Sequence, residues 1–189
     1  MGKLVVTEFV TLDGVVEDPG GSEHMDRGGW AFQFDRGPEG DRFKLDELMA
    51  SDALLLGRVT YEGFAEAWPP RTGEFADKFN TMPKFVVSKT LKDPEWANST
   101  VLSGDVVQEV SHLKEQFSGD IVVHGSVQLV DTLIRHDLVD RYHLMVFPVV
   151  LGKGKRLFRE GANVTPLKVV ETKPAAAVVI LVLEPTRDG

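Results

Sequence analysis

Two periods of hydrophobic positions alternate along the chain. Ile121, Val122 and Val123 are three β-branched apolar residues in succession, the pattern of a strand buried on both faces of a parallel sheet. His124 and Gly125 end that run. From Ser126 the period lengthens to that of a helix, with Val127, Val130 and Ile134 on one face and Leu129 and Leu133 beside them. The same switch occurs earlier: Ala53–Leu56 reads as a buried strand, and Gly57–Tyr61 turns from it into a helix running through Phe64 and closed by Pro69–Pro70. Around these units the pattern predicts a first strand over Leu4–Val10, a helix over Asp41–Met49, a short helix over Phe75–Phe79, and a strand over Lys84–Ser88. A short strand at Val101–Leu102 and an amphipathic helix over Val106–Phe117 follow. After Asp140 the period falls to two, with Tyr142, Leu144 and Val146 set against His143, Met145 and Phe147. Leu167–Glu171 and Ala177–Leu183 close the chain as a strand pair joined around Lys173–Pro174. Strands alternating with helices, then strands alone, predict a three-layer α/β/α fold. Its central sheet is mostly parallel with antiparallel C-terminal edge strands, in one domain over residues 1–189.

Composition narrows the function classes. At 189 residues, 42% hydrophobic and 26% charged, the chain can bury a sizeable core. A net charge of −8 and a pI near 5.1 argue against a nucleic-acid partner over a large surface, but leave room for a small anion held by local cations. The absence of cysteine excludes disulfides, thiolate catalysis and Cys-ligated zinc, and no metal site is expected. No apolar run approaches about 18 residues, and the first residues lack an export signal, so a cytoplasmic protein without a membrane span is expected. Val15–Gly40 is rich in Gly, Pro and acidic residues, with Trp30, Phe32 and Phe34 among them. A loop this long is usually functional or disordered. Its aromatics either wall a pocket or seal the sheet edge.

Three strand-ending turns carry anion-friendly residues. Gly57-Arg58-Val59-Thr60 offers a close-approach glycine, a guanidinium and a hydroxyl at a helix start, suited to a diphosphate. Ser88-Lys89-Thr90 offers two hydroxyls and one cation, suited to a monophosphate. Gly125-Ser126-Val127 is the third, with Ser126 at the N-cap position. Ligands of open α/β sheets bind outside the carboxyl ends of strands, where all three turns lie.

These residues resemble a family. Leu56-Gly57-Arg58-Val59-Thr60-Tyr61-Glu62 is similar to the Gly-Arg-x-Thr cofactor motif of dihydrofolate reductases, and His124-Gly125-Ser126 to their second glycine turn. Leu138-Val139-Asp140 and the run from Pro148 through Gly152-Lys153-Gly154-Lys155 to Phe158 are more similar to the reductase domain of the bifunctional riboflavin biosynthesis enzyme, as is Thr11-Leu12-Asp13-Gly14. The resemblance implies an NADPH-dependent reductase of the riboflavin-type pyrimidine reductase branch, acting on a small heterocycle or carbonyl compound, and a homodimer. Gly57, Arg58 and Thr60 would hold the diphosphate; Ser88, Lys89 and Thr90 the 2′-phosphate; Gly125, Ser126 and Val127 the diphosphate and nicotinamide side. Lys89 stands where many relatives carry arginine. Counting back from Gly57, Asp41 falls on the position of the carboxylate that assists substrate protonation in dihydrofolate reductases, although an acid after Gly40 is equally a helix cap. Asp13 and Trp30 are candidate substrate contacts, whereas His124 and His143 read as packed histidines. A non-catalytic nucleotide-binding protein and a true dihydrofolate reductase are the alternative readings.

Overall fold

The computed structural model describes residues 1–161 and 164–186. Its strands are β1 (Leu4–Thr11), β2 (Ser51–Gly57), β3 (Lys84–Val87), β4 (Ser99–Leu102), β5 (Asp120–Val123), β6 (Arg141–Phe147), β7 (Leu167–Ala175) and β8 (Val178–Pro185). The helices are α1 (Gly37–Met49), α2 (Arg58–Ala67), α3 (Glu74–Thr81), α4 (Val106–Gln116) and α5 (Val127–Arg135), with a 3₁₀ turn at Trp30–Gln33. The strands form one eight-stranded sheet in the order β4-β3-β2-β5-β1-β6-β8-β7. Neighbours from β4 to β6 pair in parallel, and β6–β8 and β8–β7 pair antiparallel, as the change of hydrophobic period predicts.

The alternation of side chains on each strand sorts the core into layers. Val6, Leu55 and Val123 point to one face and meet Val110, Leu113, Val130 and Leu133 of α4 and α5. Leu54, Leu56 and Val122 point to the other and meet Tyr61 and Phe79 of α2 and α3. Trp30, Met145, Phe147 and Ile180 pack together on the β6–β8 side. Because β1 to β6 run in one direction, the turns after β1, β2, β3 and β5 gather at one edge of the sheet. The register adds a further feature there. β1 pairs with β5 only as far as Val6–Val123, while its far half, Thr7–Thr11, pairs only with β6. The pairing between the end of β1 and the turn after β5 therefore lapses, and this break in the ladder is a slot between them.

Of the boundaries that differ from the sequence reading, two have a local physical cause. Helix α1 begins at Gly37 rather than Asp41, because Pro38, with φ already fixed at a helical value and no N–H to lose, suits a first turn. Asp41 is thus inside the helix, not its cap. The β7–β8 turn lies at Ala176–Ala177 rather than at Lys173–Pro174. Ala176 takes φ 49° and the Ala177 N–H donates to Asp35 O at 2.9 Å, so a tertiary contact supports the turn. Pro174 stays within β7, where an outermost strand tolerates a missing donor.

Candidate active site

One cleft of about 530 Å³ is lined by residues from all three anion-friendly turns: Gly57 and Arg58 after β2, Ser88, Lys89 and Thr90 after β3, and Ser126 after β5. Tight packing brings the first and third turns together. The Gly57 N–H donates to Gly125 O at 3.0 Å, and a Cβ on Gly57 would collide with Ser126 Oγ, with the Ser126 Cβ and N only 2.9 Å away. Gly125 takes φ +110°, a conformation L side chains avoid, and a Cβ there would lie 3.1 Å from Thr60 Oγ1. Thr60, Gly125 and Val127 flank the cleft without lining it.

The starts of α2 and α5 both meet this cleft. Gly57 caps α2 without a side chain, and Ser126 caps α5 without a side-chain hydrogen bond. Neither cap consumes first-turn N–H groups, which together with the helix dipole favour an anion. Ser88 behaves differently. Its Oγ accepts from the N–H groups of Thr90 and Leu91 at 3.2 and 3.0 Å, shaping the turn that presents Lys89. Arg58 Nη1 contacts both Glu62 oxygens at 2.9 Å, so its guanidinium is held along α2. Gln128, Thr132 and Arg159 also line the cleft. Sequence reasoning missed them: the first two lie in the first and second turns of α5, and Arg159 lies in an irregular segment with no pattern.

The other three candidates have partners of their own. Asp41 is 65% exposed and pairs with Arg36 at 2.5 Å. Asp13 accepts from the Thr11 hydroxyl at 2.6 Å and from the N–H groups of Leu151 and Gly152 at 3.2 and 2.8 Å. Those bonds, the Thr11 hydroxyl foremost, hold its carboxyl below the usual range and fasten the end of β1 to the segment after β6. Trp30 is 1% exposed, stands edge-on to Phe147 at 5.4 Å and donates Nε1–H to Glu17 O at 2.9 Å. Its loop follows the edge-sealing arrangement.

A polar cluster lies at the slot instead. Lys44, on α1, donates to Thr7 Oγ1 at 2.6 Å and to Glu47 Oε1 at 2.5 Å, and Glu47 Oε2 meets His143 Nδ1 at 2.7 Å. The Lys44 and Glu47 side chains are 11% and 3% exposed. Burial pushes the Glu47 carboxyl up, but the Lys44 charge, the His143 bond and the His124 and His143 charges outweigh it and hold the group at about 2. His124, at the end of β5 with its ring edge-on to Phe64 and Phe79, is pulled down to about 3 by burial and by Lys44, against Glu47. Glu8, half-buried on β1, is pushed up to about 8 by burial, relieved by Lys44 and reinforced by Glu23. A carboxyl neutral at pH 7, a neutral histidine and an ion pair thus surround the slot. The signal was present in the sequence: Glu8 interrupts the apolar first strand, and Lys44 and Glu47 share a helix face at i, i+3.

The chain is similar to known proteins over nearly its whole length. A family model for the RibD C-terminal domain matches residues 2–181. The uncharacterized protein YwjB of Bacillus subtilis (strain 168) is 31% identical over 179 residues, covering 95% of each chain. The crystal structure of a "putative riboflavin biosynthesis protein" from Shewanella sp. PV-4 superposes with a TM-score of 0.78 at 20% identity, over 98% of this chain and 99% of that one. A dihydrofolate reductase from Enterococcus faecalis, solved with NADP(H) and RAB-propyl, superposes with a TM-score of 0.60 at 17% identity over 98% and 97%. The mixed α/β fold with antiparallel edge strands is that of dihydrofolate reductase.

Proposed function

The chain belongs to the RibD C-terminal domain family, and from that premise we propose that it is an NADPH-dependent reductase acting on a small heterocyclic or carbonyl substrate. The observation that carries this reading is the cleft in which three separate turns converge on two uncapped helix starts, with Arg58 and Lys89 at its rim. A dinucleotide phosphate needs that set: N–H groups for the diphosphate and a mobile cation for the 2′-phosphate. Gly57 and Gly125 are required as glycines by the packing of the turns, which keeps the α5 N-terminus against β2. Arg58 and Thr60 at the α2 start, and Ser126 and Val127 at the α5 start, hold the diphosphate. Ser88 shapes the turn from which Lys89 and Thr90 hold the 2′-phosphate. When bound, the cofactor supplies the hydride; the protein orients it and excludes water.

The solved dihydrofolate reductase of this fold is complexed with NADP(H), which supports the assignment. A cytoplasmic protein fits the reading, and among the described residues no helix is long and apolar enough to cross a membrane. The reading includes a two-fold homodimer, since β7 leaves an open sheet edge with Val169 and Val170 exposed. A sedimentation mass near 20.9 kDa at high micromolar concentration would remove the dimer.

The test of function has two stages. NADPH at 100 times its Kd should stabilise the protein by about 2.7 kcal/mol in a thermal melt. Compounds co-purifying with the protein, identified by mass spectrometry, then serve as trial substrates for stoichiometric NADPH oxidation. Binding without oxidation would leave a non-catalytic nucleotide-binding protein; no melting shift would end the cofactor assignment.

A further inference from the structure

We propose that Lys44 is the proton donor to the substrate at the slot beside β1, an inference that rests on the reductase reading. Three observations place it there. The slot lies between the unpaired half of β1 and the His124–Ser126 turn, so it opens beside the α5 start that lines the cofactor cleft. Lys44 reaches β1 within the slot at Thr7, and its ammonium stands 5.8 Å from the Phe9 ring centroid two residues on. Its ammonium has three N–H donors, of which Thr7 and Glu47 take two; among the described residues the third has no hydrogen-bond acceptor, only the Phe9 ring nearby.

The surroundings suit a proton donor. Glu47 is ionised, and its second oxygen is fixed by His143, so the ammonium is oriented from behind by a carboxylate that cannot turn away. Of the groups facing the ammonium, His124 is neutral and Glu8 is protonated at pH 7, so neither competes as a counter-ion. The spare N–H is thus directed by its two partners and meets whatever acceptor enters the slot. An acceptor with a lone pair fits: the nitrogen of a polarised C=N bond or the oxygen of a C=O bond. The balanced step is reduction of that double bond. Its carbon receives the hydride, which brings two electrons, its π-bond breaks towards the heteroatom, and the heteroatom takes a proton from Lys44. NADPH, the reductant, is oxidised to NADP⁺, and Lys44 is left as an amine that regains its proton from water.

The test compares Lys44→Met with the wild type, alongside the double variant K44Q/E47Q, which removes both buried charges together and so leaves neither unpaired. The probes are 7,8-dihydrofolate, a cyclic imine and small aromatic aldehydes. NADPH-dependent melting shifts should agree among the three proteins within about twofold in affinity. Probe binding without cofactor, followed by tryptophan fluorescence, should weaken by about 10- to 100-fold, the loss of one charged hydrogen bond. Single-turnover NADPH oxidation with a bound probe should slow by about 10²–10⁴-fold. Unchanged probe affinity and rate in the folded variants would overturn the proposal. So would a wild-type protein that binds NADPH but neither binds nor reduces any probe, leaving the cofactor site standing. Loss of the NADPH shift in the wild type itself would instead sink the cofactor reading.

Discussion

Lys84 and Lys44 are both lysines removed from solvent, and they are held in opposite ways. Lys84, at the start of β3, is fully buried, and its Nζ donates to the carbonyls of Asn80, Met82 and Ala97 at 2.7, 2.9 and 2.9 Å. Its three donors are used, and the Trp96 ring covers it at 4.4 Å. Lys44 uses two donors and keeps one. A buried ammonium loses its hydration, so every donor left unpaired is costly unless something repays it. Saturation marks Lys84 as a tie between the end of α3 and the segment before β4, through three carbonyls. The open donor marks Lys44 as a group whose last partner comes from outside the fold. Burial alone does not separate the two roles; the count of satisfied donors does.

The comparison is broken most directly at Lys84. Lys84→Met keeps the stem and strands three carbonyls, each worth about 1–3 kcal/mol when left unsatisfied. The expected loss is about 3 kcal/mol or more, a fall in Tm on the order of 10 °C. NADPH-induced stabilisation, measured in the same melts below the new Tm, should be retained. A variant of unchanged Tm would show that the three carbonyls find water and that Lys84 is no tie.

A second effect separates the two regions by pH. Around Lys44 the neighbours titrate between folded and unfolded states. Glu8 is raised from 4.5 to about 8, so its stabilising contribution is complete below pH 4.5 and is lost as pH climbs through 8. His124 is lowered from 6.5 to about 3 and Glu47 from 4.5 to about 2, so theirs is present above those ordinary values and lost as pH falls. Of these three groups, only Glu8 acts between pH 6.5 and 8. Stability should decline across that window by up to about 1.4 kcal/mol per pH unit, and Glu8→Gln should flatten the decline. Denaturant melts at constant ionic strength read this out, and a wild-type slope equal to that of the variant would contradict it.

How much of this was legible follows from where the information resides. The three turns were readable because glycine, hydroxyl and cation follow strands at short range, and the strands announce themselves by period. Ser126 was placed at a helix start for the same reason, although its hydroxyl makes no cap bond. Lys84 was not readable as buried: a lysine opening a strand looks solvated, and its carbonyl partners come from α3 and from thirteen residues downstream. The same holds for Lys44, Glu47 and His143, whose meeting depends on α1 crossing both β1 and β6. Asp41 shows the reverse case. Gapless counting from Gly57 selected a residue on the exposed side of α1, while the residue three positions later faces the slot. Helical phase, which counting ignores, decides which side chain reaches the site.

Lys89 completes the series and carries the smallest effect on the fold. It is exposed, and among the described residues its ammonium has no partner, so all its donors are spare. Exposed lysines contribute little to stability, and Lys89→Ala should change it by no more than about 0.5 kcal/mol. Its effect belongs entirely to the ligand. One charge-assisted bond to a 2′-phosphate is worth about 1.5–3 kcal/mol, so NADPH affinity should fall by about 10- to 100-fold while NADH affinity hardly moves. The loss should shrink as salt is raised, because an exposed pair is screened over about 8 Å at physiological ionic strength. Lysine is also a point charge rather than a planar fork, so Lys89→Arg should sharpen the preference for NADPH. Titrating both nucleotides against the three proteins decides the matter. Equal losses for NADPH and NADH would move the 2′-phosphate away from the β3 turn, and Arg159, on the same cleft, would be the next cation to replace.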